Sequence, residues 1–282
     1  MKAIFDMSDL GLLSYYLGIE VKQGNNGTIL KQSAYAKKIL NLAGMVDCNS
    51  TQYPMENKLR ITKQGDGAEV DPTFYRRLIG SLRYLLHTRP DLSYSVGVVS
   101  RFMECPKESH LVAVKHIIRY IKGTVHDGLE YKSGGEGRLV GYSDSSFGTD
   151  KDDGRGTSGT IFYLSNNVIT WSSQKQRTVA LSSCEAEFMA ATAGACQALW
   201  LRNLLSEISG SEAQCVKLMV DNEGAIALIK NPIFHGRSKH IDTNYHFIRE
   251  CVERGLIVVE HVDGNLQKAD IFTKPLPRSE GL

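Results

Sequence analysis

No run of 18 apolar residues occurs in this 282-residue chain, and the opening Met1-Lys2-Ala3-Ile4-Phe5-Asp6 has no signal-peptide pattern. Neither membrane spanning nor secretion is expected, so the chain reads as intracellular. The six cysteines, Cys48, Cys105, Cys184, Cys196, Cys215 and Cys251, form no pair at metal-ligand spacing. They read as reduced core residues, and a zinc site is not expected. Gly65-Asp66-Gly67 is too isolated to be a phosphate loop, and no repeat or low-complexity run is present. A polymerase palm needs a hairpin bearing an apolar residue and two aspartates. The Asp pair here, in Thr149-Asp150-Lys151-Asp152-Asp153-Gly154, lacks apolar flanks and reads as a turn, so no polymerase activity is expected.

What is present is a spaced set of acids. Arg138-Leu139-Val140-Gly141-Tyr142-Ser143-Asp144 is a short strand pattern ending in Asp, a residue depleted inside strands, so Asp144 is expected at the strand's open end. Ser182-Ser183-Cys184-Glu185-Ala186-Glu187 opens a helix: Ser182 or Ser183 can cap it, Glu185 has capping-box spacing from Ser182, and Ala190, Ala191 and Gly194 keep the face of Glu187 thin. Val216 to Val220 is a second strand closed by Asp221-Asn222, with a helix from Glu223. After a strand over 256–262, the turn Asp263-Gly264-Asn265 leads to Asp270 on a terminal helix. Singly, each acid is better explained as a turn, cap or solvated-face residue. Their order along alternating elements is what suggests chemistry: Mg²⁺ takes oxygen ligands, and a pair of ions roughly 3.5–4 Å apart can drive phosphodiester hydrolysis. Four carboxylates, Asp144, Glu187, Asp221 and Asp270, are a sensible count for two Mg²⁺, with Mn²⁺ as the substitute.

Punctuation sets out the rest. Residues 14–32 read as a hairpin turning at Gly24-Asn25-Asn26-Gly27, and Ser33 to Leu42 as a helix. After a polar loop from Cys48 to Val70, Asp71-Pro72 starts a helix with Phe74, Leu78, Leu82 and Leu85 on one face. Leu92 to Met103 and His110 to Lys122 are two further helices, the last burying Leu111, Val114, Ile118 and Ile121 and turning Lys115, Arg119 and Lys122 outward. Ser133-Gly134-Gly135-Glu136-Gly137 is a linker. Beyond it lie three hairpin-joined strands, then two more reached through helices, which implies a mixed sheet with Asp144 and Asp221 on neighbouring strands. Trp171 and Trp200 are expected to fill the core.

Several motifs then fall into line: Gly141-Tyr142-Ser143-Asp144, Ser158-Gly159, Trp171-Ser172-Ser173-Gln174-Lys175-Gln176, Ala180-Leu181-Ser182-Ser183-Cys184-Glu185-Ala186-Glu187-Phe188, Trp200-Leu201-Arg202, Asp221-Asn222, Lys239-His240-Ile241 and Ala269-Asp270-Ile271-Phe272-Thr273-Lys274-Pro275-Leu276. Together they resemble the ribonuclease H domain of Ty1/copia-type retrotransposon Pol polyproteins. The first half resembles the same polyproteins past the polymerase palm, through Asp9-Leu10-Gly11, Tyr16-Leu17-Gly18-Ile19-Glu20 and residues 75–85.

The resemblance implies an α/β fold: a ribonuclease H-like mixed five-stranded sheet flanked by helices, preceded by a smaller, mostly helical reverse-transcriptase thumb/connection region with a β-hairpin. The implied division is 1–60 for the truncated end of the reverse transcriptase, 61–134 for a helical connection and 135–282 for the nuclease. Between Glu185 and Glu187, the family pattern selects Glu187 as catalytic and leaves Glu185 to the cap. The implied activity is endonucleolytic hydrolysis of RNA in RNA–DNA hybrids, leaving a 3′-hydroxyl. Partners are the hybrid and the missing polymerase portion of the polyprotein. Lys175, Arg177, Arg237, Lys239 and His240 are the candidate hybrid grips, and a net charge of +5 over residues 1–135 against −3 over 136–282 suits gripping by one half and cutting by the other. Two departures stand out. Ser145-Ser146-Phe147 replaces the second Asp and Trp usual in copia sequences. In place of the mobile His of many cellular ribonucleases H there is only His261, expected on a strand, which implies slower product release. The alternative reading is an inactive remnant that only binds nucleic acid.

Overall fold

A computed structural model describes residues 11–57, 59–230 and 242–278, with side chains of 242–245 excepted. The chain begins with β1 (Tyr15–Tyr16), β2 (Ile19–Gly24) and β3 (Gly27–Lys31), followed by α1 (Ser33–Leu42). The hairpin forms as expected, with Gly24 pairing Gly27 across its turn. Gly27 sits at φ 150°, and a Cβ there would lie 2.0 Å from the Tyr131 carbonyl oxygen, so only glycine fits beside the next strand.

The helices α2 (Pro72–Leu85), α3 (Ser93–Val99) and α4 (Glu108–Gly123) follow. Asp71 caps α2 by accepting from the amides of Thr73 and Phe74, and Pro72 supplies a fixed φ where no amide is needed. The helix expected over 92–103 is broken instead: α3 is flanked by 3₁₀ turns at Pro90–Leu92 and Ser100–Phe102. Ser100 turns its hydroxyl back to the Val96 carbonyl at 2.6 Å, a contact that competes with regular continuation. Leu78, Leu82 and Leu85 of α2 meet Val96 and Val99 of α3 and Val114, Ile118 and Ile121 of α4 in one core. Each such side chain contributes about 1.5–3 kcal/mol on burial.

A strand that the sequence reading did not anticipate, β4 (Gly128–Lys132), pairs antiparallel with β3 and completes a four-stranded sheet ordered β1-β2-β3-β4. With only Leu129 and Tyr131 alternating, its local signal is weak, and its partner lies about a hundred residues earlier, Leu30 against Leu129. This sheet and the core of α1 to α4 both draw on residues from either side of position 60.

The second part contains β5 (Leu139–Ser146), β6 (Thr157–Leu164), β7 (Asn167–Lys175), α5 (Ser183–Ser209), β8 (Val216–Val220), α6 (Glu223–Lys230), α7 (Asp242–Glu253) and β9 (Ile257–His261). Its sheet runs β7-β6-β5-β8-β9, antiparallel through β5–β7 and parallel from β5 to β9. This is the mixed five-stranded, ribonuclease H-like sheet with flanking helices that the resemblance implies. Small residues on α5, among them Ala191, Ala195 and Ala198, let the helix lie close on Phe162 and Leu218. Among the described residues no helix is long and apolar enough to cross a membrane.

The two parts are joined by charge. Asp150, in the β5–β6 connection, is 8% exposed and binds Arg101 Nη1 at 2.9 Å, while Asp152 accepts from the Lys63 amide at 2.9 and 3.0 Å. The Asp-rich stretch is a turn, as expected, with Gly154 bonded back to the Asp150 carbonyl.

Three placements differ from expectation. Trp200 is 58% exposed rather than buried, on the outer face of α5, whereas Trp171 packs against the cluster of Ile161, Tyr163 and Phe272. Of the cysteines only Cys251 is buried; Cys105, Cys196 and Cys215 are exposed, and all six are free thiols. Asp270 opens a three-residue 3₁₀ turn, Asp270–Phe272, rather than a terminal α-helix.

Candidate metal centre

Three of the four acids converge. Carboxylate oxygens of Asp144, Glu187 and Asp221 lie within 4.8 Å of one another. Asp144 does not end its strand, as its type suggested: β5 continues to Ser146, and Asp144 pairs in register with Gly159 of β6. That glycine explains how an Asp is held inside a strand. A Cβ at position 159 would meet the Phe272 Cβ at 2.7 Å and the Ala269 carbonyl at 3.0 Å, so its absence lets the Asp270 turn lie directly over Asp144. Thr273, just past that turn, donates its hydroxyl to Asp144 Oδ2. Gln267 anchors the same segment by donating to the Ser143 carbonyl at 3.0 Å, and Ser173 donates to the Phe272 carbonyl at 2.6 Å.

Glu187 stands in the second turn of α5. The cap is made by its neighbours: Ser182 Oγ accepts from the Glu185 amide at 3.1 Å, and Glu185 Oε2 accepts from the Leu181 amide at 3.0 Å. Glu185 is thus committed to the helix start and Glu187 is left for the site. Gln176 ties this helix start to the sheet, donating to the Ala186 carbonyl at 3.0 Å and to Ser158 Oγ at 3.1 Å. Glu187 Oε1 accepts from both the amide and the hydroxyl of Ser145, at 2.9 and 3.0 Å. Its Oε2 is buried without a hydrogen-bond partner among the described residues.

Asp221 follows β8, next to β5 in the sheet as expected. Here too the cap falls to a neighbour: Asn222 Oδ1 accepts from the Ala225 amide at 2.9 Å, so Asp221 is not spent on α6. Asp270 stands beside the three rather than among them, and its Oδ2 is 2.6 Å from Lys274 Nζ, four residues on.

Electrostatics make this cluster unstable on its own. At 4.8 Å and an effective dielectric near 20, two carboxylates repel by about 3 kcal/mol. Burial, reinforced by the charges of Asp270 and Asp221 and opposed by the Thr273 hydroxyl, pushes Asp144 up to about 6. Burial and the charges of Asp144 and Asp221 push Glu187 up to about 9, against the two Ser145 bonds. Asp221 is raised by burial and by Asp270. Carboxylates at this spacing, two of them buried and one oxygen without a donor among the described residues, fit a hard divalent cation: it would satisfy Glu187 Oε2 and cancel the repulsion.

The proposed grips fare differently. Lys175 binds Asp150 at 2.6 Å and Asp153 at 2.7 Å, while Arg177 is exposed. Arg237, Lys239 and His240 lie outside the described residues. His261 ends β9, as expected. Sequence reasoning assigned no role to Ser145, Gln267, Thr273 or Lys274. Only Lys274 carried a usable signal, its spacing of four from Asp270.

Residues 1–57 match the family model described as reverse transcriptase (RNA-dependent DNA polymerase). Over 275 residues, 98% of this chain, the sequence is 40% identical to the retrovirus-related Pol polyprotein from transposon RE1 of Arabidopsis thaliana, covering 19% of that protein. It is also 36% identical over 200 residues to an uncharacterized mitochondrial protein of Arabidopsis thaliana, covering 71% of this chain and 83% of that one. Among solved structures, the N-terminal RNase H domain of a Mycobacterium tuberculosis protein aligns with 49% of this chain and 91% of that chain, at 15% identity and a TM-score of 0.37. The chain spans about a fifth of the length of the Pol polyproteins it matches. At 36 to 40% identity over nearly all its length, the homologues of this chain are Pol polyproteins from Ty1/copia-type retrotransposons.

Proposed function

We propose that the chain is the ribonuclease H part of a copia-type reverse transcriptase and hydrolyses the RNA strand of RNA–DNA hybrids with a divalent metal. The observation that carries this reading is the convergence of Asp144, Glu187 and Asp221 from three separate elements around a buried Glu187 oxygen that has no partner among the described residues. Asp144, Glu187, Asp221 and Asp270 are the catalytic and metal-holding residues, for two Mg²⁺ or, in substitution, Mn²⁺. Such ions supply Lewis acidity toward the phosphodiester and lower the pKa of water.

The chain's own residues do the positioning. Ser145 fixes one oxygen of Glu187 and aims the other into the cluster. Thr273 holds Asp144, and Gln267 keeps the Asp270 turn on β5. An RNA–DNA hybrid offers 2′-hydroxyls in a wide minor groove, which is how cutting is confined to RNA. Arg177 is the exposed grip nearest the end of β7, and Lys175, Arg237, Lys239 and His240 are proposed to share that role. The proposed division is 1–60 for the end of the reverse transcriptase, 61–134 for the connection and 135–282 for the nuclease, working inside the cell beside the polymerase portion of the polyprotein. No polymerase activity is assigned to these residues.

The test is incubation of the purified chain with end-labelled hybrid and MgCl₂, beside Asp221→Asn and a DNA duplex of the same sequence. Cutting of the RNA strand by the wild type alone is the expected result. A folded chain that binds hybrid without cutting it supports the inactive remnant instead.

A further inference from the structure

Resting on that reading of the site, one residue carries a role of its own. Lys274 Nζ lies 2.6 Å from Asp270 Oδ2, on a side chain 52% exposed, while Asp270 is 15% exposed. The ammonium therefore reaches into the site from solvent on a flexible stem, and the carboxylate it meets is largely enclosed. Thr273, the preceding residue, is fixed to Asp144, so the backbone from which the lysine springs is held in place.

We infer that Lys274 is the built-in counter-ion of the site, competing with a divalent cation for Asp270 and leaving that carboxylate when the cation binds. The geometry has the two features competition requires. The Lys274–Asp270 contact uses one oxygen of a carboxylate adjoining the three-acid cluster, so a cation held by Asp270 together with that cluster would compete with the ammonium for the same carboxylate. The lysine side chain is exposed enough to withdraw into water at little cost, whereas Asp270 cannot follow. Lys274 is thus a positioning residue. It holds Asp270 in place beside the cluster before the ion arrives, and its competition sets the ion affinity.

The experiment is calorimetric titration of the full chain with MgCl₂ or MnCl₂, without nucleic acid, for the wild type, Lys274→Met, Lys274→Arg, Asp270→Asn and the Lys274→Met/Asp270→Asn pair. Lys274→Met is expected to bind the ion roughly three- to fivefold more tightly, the scale of a partly exposed ion pair, with a lower melting temperature in EDTA that saturating ion restores. Lys274→Arg keeps wild-type affinity. In the Asp270→Asn background the gain from Lys274→Met shrinks, because the direct competition runs through Asp270. Unchanged or weaker binding by Lys274→Met overturns the inference, as does a gain of undiminished size in Asp270→Asn. A wild-type chain that binds no divalent ion removes the metal reading itself, and this inference with it.

Discussion

Ser145 gives Glu187 two hydrogen bonds on a single oxygen, one from its amide and one from its hydroxyl, while the other oxygen is buried without a donor among the described residues. Replacing Ser145 by Ala removes the hydroxyl and keeps the amide. A net loss of about 1 kcal/mol in holding Glu187 predicts a fall of roughly fivefold in cleavage rate. Single-turnover kinetics on a labelled hybrid check this, and an unchanged rate would show that the amide alone suffices.

Stability of the metal-free chain should decline with pH. Asp144 and Glu187 are raised from 3.8 and 4.5 to about 6 and about 9, and Asp221 is raised too. Folded, these groups hold protons that the unfolded chain releases near pH 4. Their contribution is therefore full below that pH and is lost as pH climbs through 6 toward 9. Thermal melts in EDTA at pH 5, 7 and 9 are expected to show a falling midpoint, flattened in Glu187→Gln and reversed by saturating Mg²⁺. A midpoint that rises across this range contradicts the assignment.

Thr273→Val strips Asp144 of its hydroxyl donor. Since that bond opposes the upward shift of Asp144, its loss moves the carboxyl higher still. The acidic limb of the pH–rate profile should move to higher pH, with a much larger defect at pH 6 than at pH 8. A uniform loss at every pH would assign Thr273 to packing alone.

Gly159→Ala is expected to act at the site from the opposite strand. Its new methyl meets Phe272 and the Ala269 carbonyl at 2.7 and 3.0 Å, which forces the Asp270 turn outward. Overpacking of this kind costs about 1–3 kcal/mol, readable as a lower urea midpoint, together with weakened ion binding. A variant with wild-type stability and affinity would mean that the turn yields freely.

Much of this was written locally. Ser33 to Leu42 forms the expected helix residue for residue, because its boundaries are set by an adjoining strand and a run of apolar positions at helical spacing. Asp144, Glu187 and Asp221 could be singled out because each lies in or beside an element whose period is plain, although Asp144 sits within its strand rather than at the end. What escaped depends on residues far apart in the chain. The strand β4 exists because β3 offers it an edge, and Asp144 remains inside β5 because Gly159 clears room above it. Trp200 looks like a core residue by type, yet α5 turns it to solvent. Ser145 and Thr273 acquire roles only when a helix and a distant turn are folded against β5.

The bond from Thr273 to Asp144 spans 129 residues, so the ribosome finishes one partner well before the other. At ordinary rates of translation the interval is on the order of 10 s. Throughout it the nascent polypeptide carries its first carboxylates without the segment that steadies them. Asp144 therefore gains its hydroxyl donor only after the Asp270 turn has been synthesised and has folded back onto β5.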